Sequence, residues 1–71
     1  MIDNGILLQN KSKGICLVNN FGYYTIEYYD ESGDAIILAE SDDSKTEILD
    51  IYKNCEEIDG YLETLIGRKT K

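Results

Sequence analysis

The sequence predicts an α+β domain, a four-stranded antiparallel β-meander followed by a C-terminal helix packed on one sheet face. Three observations predict it. Residues 6–40 hold four short runs of aliphatic, β-branched or aromatic residues, separated by polar turns bearing Asn or Gly. The connections are too short for parallel crossovers, so neighbouring strands run antiparallel. After residue 44, apolar residues recur at spacings of three and four, the period of one helix face.

The first strand is Ile6 to Gln9, and Asn10-Lys11-Ser12-Lys13-Gly14 is its hairpin loop. The second strand, Ile15 to Val18, is β-branched at both ends. Asn19-Asn20-Phe21-Gly22 follows, and Asn and Gly both tolerate the positive φ of a tight hairpin. The third strand, Tyr23 to Asp30, is almost wholly aromatic or β-branched. Tyr24, Ile26 and Tyr28 share its core face, and Tyr23, Thr25, Glu27 and Tyr29 share the more exposed one. Glu31-Ser32-Gly33-Asp34 turns the chain into a fourth strand, Ala35 to Glu40.

Ser41-Asp42-Asp43-Ser44 opens the helix. Ser44 with Glu47 fits a capping box, and Asp42 and Asp43 suit the positive end of the helix dipole. Ile48, Ile51, Cys55, Ile58, Leu62 and Leu65 then form the apolar stripe, widened by Leu49, Tyr52 and Ile66. The spacing predicts one helix over 45–66, ended by Gly67; two helices broken between Asn54 and Gly60 are the alternative. The stripe lasts under three heptads, which favours packing on the sheet over a coiled coil. The expected core joins Ile26, Ile36 or Leu38, Ile48, Ile51 and Leu62.

Seventy-one residues make one domain, in which about 60% of the unfolded surface is buried. Met1 to Gly5 has no basic n-region or long apolar run, and the longest aliphatic run is Ala35 to Ala39. Neither a signal peptide nor a membrane span is expected, so a soluble intracellular protein is. Cys16 and Cys55 read as buried reduced thiols. There is no histidine and no Cys-x-x-Cys pair, so no metal site, no cofactor and no Ser-His or Cys-His nucleophile is expected. Fourteen carboxylates give no specific general acid or base. The chain reads as non-enzymatic.

Charge carries the functional signal. Thirteen of the acids lie between Glu27 and Glu63, against only Lys45 and Lys53. Such a field repels nucleic acid and anionic membranes and steers toward basic protein surfaces. On one helix, Asp43, Glu47, Asp50, Asn54 and Glu57 form a ridge, and Glu56, Asp59 and Glu63 form a second. Ridge members rise by about 4.5–6 Å, against about 3.4 Å per charge along each DNA strand. The ridges therefore imitate phosphate rows approximately. The bland alternative is a solvated face that keeps a small domain soluble. Six tyrosines add a second signal, and Tyr23 and Tyr29 beside a carboxylate suit a surface that receives arginine. The acidic turn with Asp30, Glu31 and Asp34 belongs to the same surface. The candidate partner-binding residues are thus Tyr23, Tyr29, Asp30, Glu31, Asp34, Asp43, Glu47, Asp50 and Glu57.

The stretch Gly33-Asp34-Ala35-Ile36-Ile37-Leu38-Ala39-Glu40-Ser41 resembles the last strand and strand-to-helix junction of small acidic phage-encoded anti-CRISPR proteins that inhibit type II-A Cas9. Gly33, Leu38, Glu40 and Ser41 carry the match, which extends loosely to Tyr52-Lys53-Asn54 and covers about 22 residues of 71. The resemblance implies an acidic surface that occupies the PAM-reading site of Cas9 and blocks DNA loading in the cytoplasm of a bacterial host cell. The chain departs from that pattern in its two strands before the Tyr-rich strand and in its basic tail. The expected function is inhibition of a nucleic-acid-binding partner by charge mimicry. A small regulatory or oligomerisation module without mimicry is the alternative.

Overall fold

The computed structural model describes residues 4–42 and 44–69. Strands β1 (Asn4–Asn10), β2 (Ile15–Asn20), β3 (Tyr23–Tyr29) and β4 (Ala35–Ser41) form one sheet in that order, each antiparallel to its neighbour. Helices α1 (Lys45–Glu57) and α2 (Tyr61–Lys69) follow and lie on one sheet face. α1 packs on β3 and β4, and α2 on β4 and α1. The other sheet face has no layer over it among the described residues. No described helix is long and apolar enough to cross a membrane.

The β2–β3 hairpin departs from the expected chemistry. Asn20 pairs with Tyr23, so the loop is Phe21-Gly22 alone. Both have positive φ, 54° for Phe21 and 88° for Gly22, as a type I′ turn requires. The left-handed position falls on the bulky Phe21 and not on Asn20. The Asn19 side chain steadies the turn, its Oδ1 accepting from the Gly22 N–H at 2.9 Å. Phe21 is 71% exposed, so no burial offsets its backbone strain. Phe21→Asn is expected to stabilise the domain by about 1 kcal/mol, because Asn visits the left-handed region readily. A urea midpoint that falls on this substitution contradicts the strain.

Each edge strand carries a bulge, and the one in β4 decides which side chains reach the core. Ile26 pairs with Ala39 but Glu27 with Ile37, which leaves Leu38 as the extra residue. Strict alternation would put Glu40 on the same face as Ile36 and Leu38. The bulge shifts the phase, so Leu38 is buried while Ile36 and Ala39 also pack on the core. Glu40, opposite Thr25, turns to the open face. Leu38 is thus buried in the core and Ile36 packs against it, where the expected core named one or the other.

The core joins Ile15, Leu17, Ile26 and Leu38 of the sheet to Ile48, Tyr52, Cys55 and Leu62 of the helices. Ile51 is only half-buried, and Tyr52 takes the central place expected of it. The Tyr52 hydroxyl has no hydrogen-bond partner among the described residues. Burial, with Glu56 and both thiols nearby, pushes its pKa up to about 12.

The expected single helix is two helices. Ile58 is extended at φ −101° and ψ 117°, and its N–H closes α1 on the Asn54 carbonyl. Gly60 follows at φ +83°, a conformation costly for any residue with a Cβ. Tyr61 N–H then bonds to the Ile58 carbonyl, and the Thr64 N–H and hydroxyl both donate to the Gly60 carbonyl. Ile58 thereby leaves the apolar stripe and is half exposed. Gly67 lies inside α2 and does not end it, since the helix runs on to Lys69. At the other end, Ser44 caps α1 by accepting from the Glu47 N–H at 3.1 Å. The Ser44 N–H donates to the Ser41 hydroxyl, in place of the Glu47 carboxylate of a full capping box.

Candidate partner-binding surfaces

The predicted site residues fall in three places. Tyr23 and Tyr29 lie on the open sheet face, on the side away from the helices. Residues paired across antiparallel strands point to the same face. Cys16, Val18 and Asn20 of β2 oppose Glu27, Thr25 and Tyr23. From β4, Ala35, Ile37 and Glu40 oppose Tyr29, Glu27 and Thr25. A shallow groove of about 440 Å³ crosses this face, with Val18, Tyr23, Thr25, Glu27 and Ile37 in its lining.

Glu27 sits half-buried in the middle of that face. Its Oε1 accepts from the Tyr29 hydroxyl at 2.9 Å and its Oε2 from the Thr25 hydroxyl at 3.4 Å. The bond to Glu27, reinforced by its negative charge, raises the pKa of the Tyr29 phenol. Tyr23, Tyr29 and Ile37 are exposed around it.

The β3–β4 turn forms the second place, and here Asp30 has a structural use. Its Oδ1 accepts from the backbone N–H groups of Ser32 and Asp34 and from the Ser32 hydroxyl, at 2.7 to 3.0 Å. These donors favour the ionised form and lower its pKa, the Ser32 hydroxyl most. With the folded pKa below the unfolded one, the turn is fully supported above the ordinary carboxylate range. That support is lost as pH falls through the lowered value. Glu31 and Asp34 are exposed beside it.

The third place is the helix layer. Glu47, Asp50 and Glu57 are exposed on α1, and Asp43 lies outside the described residues. The second ridge is interrupted, because Glu56 is in α1, Asp59 in the break and Glu63 in α2. Glu56 also accepts from the Asn10 side chain at 2.9 Å, tying α1 to the β1–β2 hairpin. Among the described residues no lysine or arginine forms an ion pair with these acids. The structure thus sets Tyr23 and Tyr29 on one side of the sheet and Glu47, Asp50 and Glu57 on the other.

Glu27, Glu40 and Ile37 belong to the open face but were not among the predicted site residues. Alternation along Tyr23, Thr25, Glu27 and Tyr29 already marks Glu27, and alternation from Ile36 marks Ile37; the β4 bulge, which has no sequence signature, hides Glu40.

Both thiols are buried, Cys16 at 3% exposure and Cys55 at 1%. Burial pushes both pKa values up, and Glu27 beside Cys16 and Glu56 beside Cys55 add to it. A thiol reagent is expected to label neither quickly in the native state and both rapidly in denaturant. Immediate native labelling of both contradicts this.

The chain matches no protein-family model, and comparison with curated proteins and with solved structures also gives no match.

Proposed function

We propose that this chain is a non-enzymatic inhibitor of a nucleic-acid-binding protein, and that it presents carboxylates where the partner would hold DNA. The observation that carries this reading is the row Glu47, Asp50 and Glu57, exposed on α1 without an ion-pair partner among the described residues. A helix shaped by stability alone interleaves opposite charges at i,i+4. Here α1 holds four acids, Glu47, Asp50, Glu56 and Glu57, against Lys45 and Lys53, and no ion pair joins them among the described residues; over the whole stretch from Glu27 to Glu63, thirteen acids meet only these two lysines. A basic DNA channel is the complementary surface. The resemblance around Gly33 to Ser41 makes a CRISPR effector of the Cas9 type the proposed partner, met in the cytoplasm of a bacterial host. The break after Glu57 limits the mimicry to α1 and the adjoining turn, because the second ridge is not one straight row. A DNA-competition assay with acid-neutralised variants tests the reading.

A second reading, an oligomerisation module, draws on a different observation. Ile6, Leu7 and Leu8 are exposed on the edge strand β1, and such an edge can pair with another chain. Salt separates the two. Binding through the acids weakens steeply as ionic strength rises, whereas apolar edge pairing does not.

A further inference from the structure

We propose that the open sheet face receives an arginine side chain of a protein partner, with Glu27 as its counterion. This deepens the inhibitor reading and rests on it, since it names the chemistry of one partner contact. Three features argue for it. First, Glu27 is a half-buried carboxylate among Val18, Thr25, Tyr29 and Ile37, with the exposed Glu40 on the same face and no lysine or arginine paired to Glu27 among the described residues. A charge held in such surroundings gains most from a cation that arrives with its own apolar cover.

Second, the carboxylate is pre-oriented. The Tyr29 and Thr25 hydroxyls each take one oxygen, and each oxygen keeps capacity for a further donor. That suits the two parallel N–H groups of a guanidinium better than the single point of an ammonium. The exposed ring of Tyr29, beside the carboxylate, offers a face on which a guanidinium stacks. Third, other occupants fit worse. A second copy would bring Glu27 and Glu40 against the same two acids, within a chain of net charge −7. Nucleic acid would bring phosphates to the same carboxylates.

The test titrates the isotope-labelled full chain with N-acetyl-arginine amide, read residue by residue by NMR. Shifts are expected at Tyr23, Glu27, Tyr29 and Ile37 and to saturate together. N-acetyl-citrulline amide has nearly the same shape without the charge, and is expected to bind at least about tenfold more weakly. Because the protein is unchanged between these probes, this comparison does not depend on any variant folding. Glu27→Gln is expected to remove the arginine response while keeping a dispersed spectrum. The proposal is overturned by shifts spread over Glu47, Asp50 and Glu57 that survive Glu27→Gln, by equal binding of the two probes, or by no response at tens of millimolar. Open-face broadening with concentration-dependent sedimentation in the absence of probe also overturns it, and makes the face a self-interface. The inhibitor reading fails separately, in DNA competition, while the arginine site stands.

Discussion

Ile48→Ala is expected to destabilise the domain by about 2–5 kcal/mol, the cost of deleting fully buried methylenes and leaving a cavity. Ile48 is 0% exposed and sits in the one core that joins Leu17, Ile26 and Leu38 of the sheet to Tyr52 and Leu62 of the helices. Its loss therefore loosens both layers at once. The expected cost is a large share of the stability available to so short a chain, which for globular domains generally is about 5–15 kcal/mol. Ile51, one turn on and only half-buried, is the control: Ile51→Ala removes the same atoms from a site that water already reaches. Its cost should be clearly smaller. Urea unfolding of the two variants measures both. Equal midpoints, or an unchanged midpoint for Ile48→Ala, would remove the sheet-on-helix packing as the source of stability.

That pair of residues also shows what the sequence could and could not convey. The meander was legible because polar turns of four or five residues leave antiparallel pairing as the only choice, and Ile26 lay at the centre of an unambiguous alternation. The stripe through Ile48, Cys55 and Leu62 was legible for the same reason at helical period. Ile51 and Tyr52 were not separable, since both lie within the apolar arc and only the position of the sheet decides which is inside. The break was legible only as an alternative. Gly60 costs about 1 kcal/mol in a helix, too little to end one by itself, and the extended Ile58 that completes the break is an ordinary helix residue by type. The β4 bulge left no trace, because inserting Leu38 changes phase without changing composition. For the candidate site, each residue's exposure could be read from alternation and charge. Its grouping could not. Tyr29 and Glu47 seem to belong to one acidic, Tyr-rich surface until the helix layer is seen to cover only the opposite side of the sheet.

The separation into two faces allows charge to be removed without touching packing, and the largest functional effect is expected there. The helix variant carries Glu47→Gln, Asp50→Asn and Glu57→Gln, all at exposed positions of α1. The turn variant carries Glu31→Gln and Asp34→Asn and keeps Asp30, whose carboxylate holds the turn through Ser32 and Asp34. Exposed substitutions of this kind usually change stability by less than about 0.5 kcal/mol. Glu47 in the first turn of α1 loses a small dipole contribution, which relief of repulsion among the remaining acids offsets. Binding is expected to move far more. An arginine or lysine of the partner that is desolvated against one of these acids is left unpaired when the acid is neutralised, at about 2–5 kcal/mol, or roughly thirtyfold and upward in affinity. The helix variant should therefore unfold at the wild-type urea midpoint and yet fail to compete with DNA for a guide-loaded type II-A Cas9 at physiological salt. Wild type should itself lose affinity as salt rises, because the contact is made of charges that ions screen. If both variants compete as well as wild type, the acids only keep the domain soluble, and the edge strand with Ile6, Leu7 and Leu8 becomes the surface through which this chain acts.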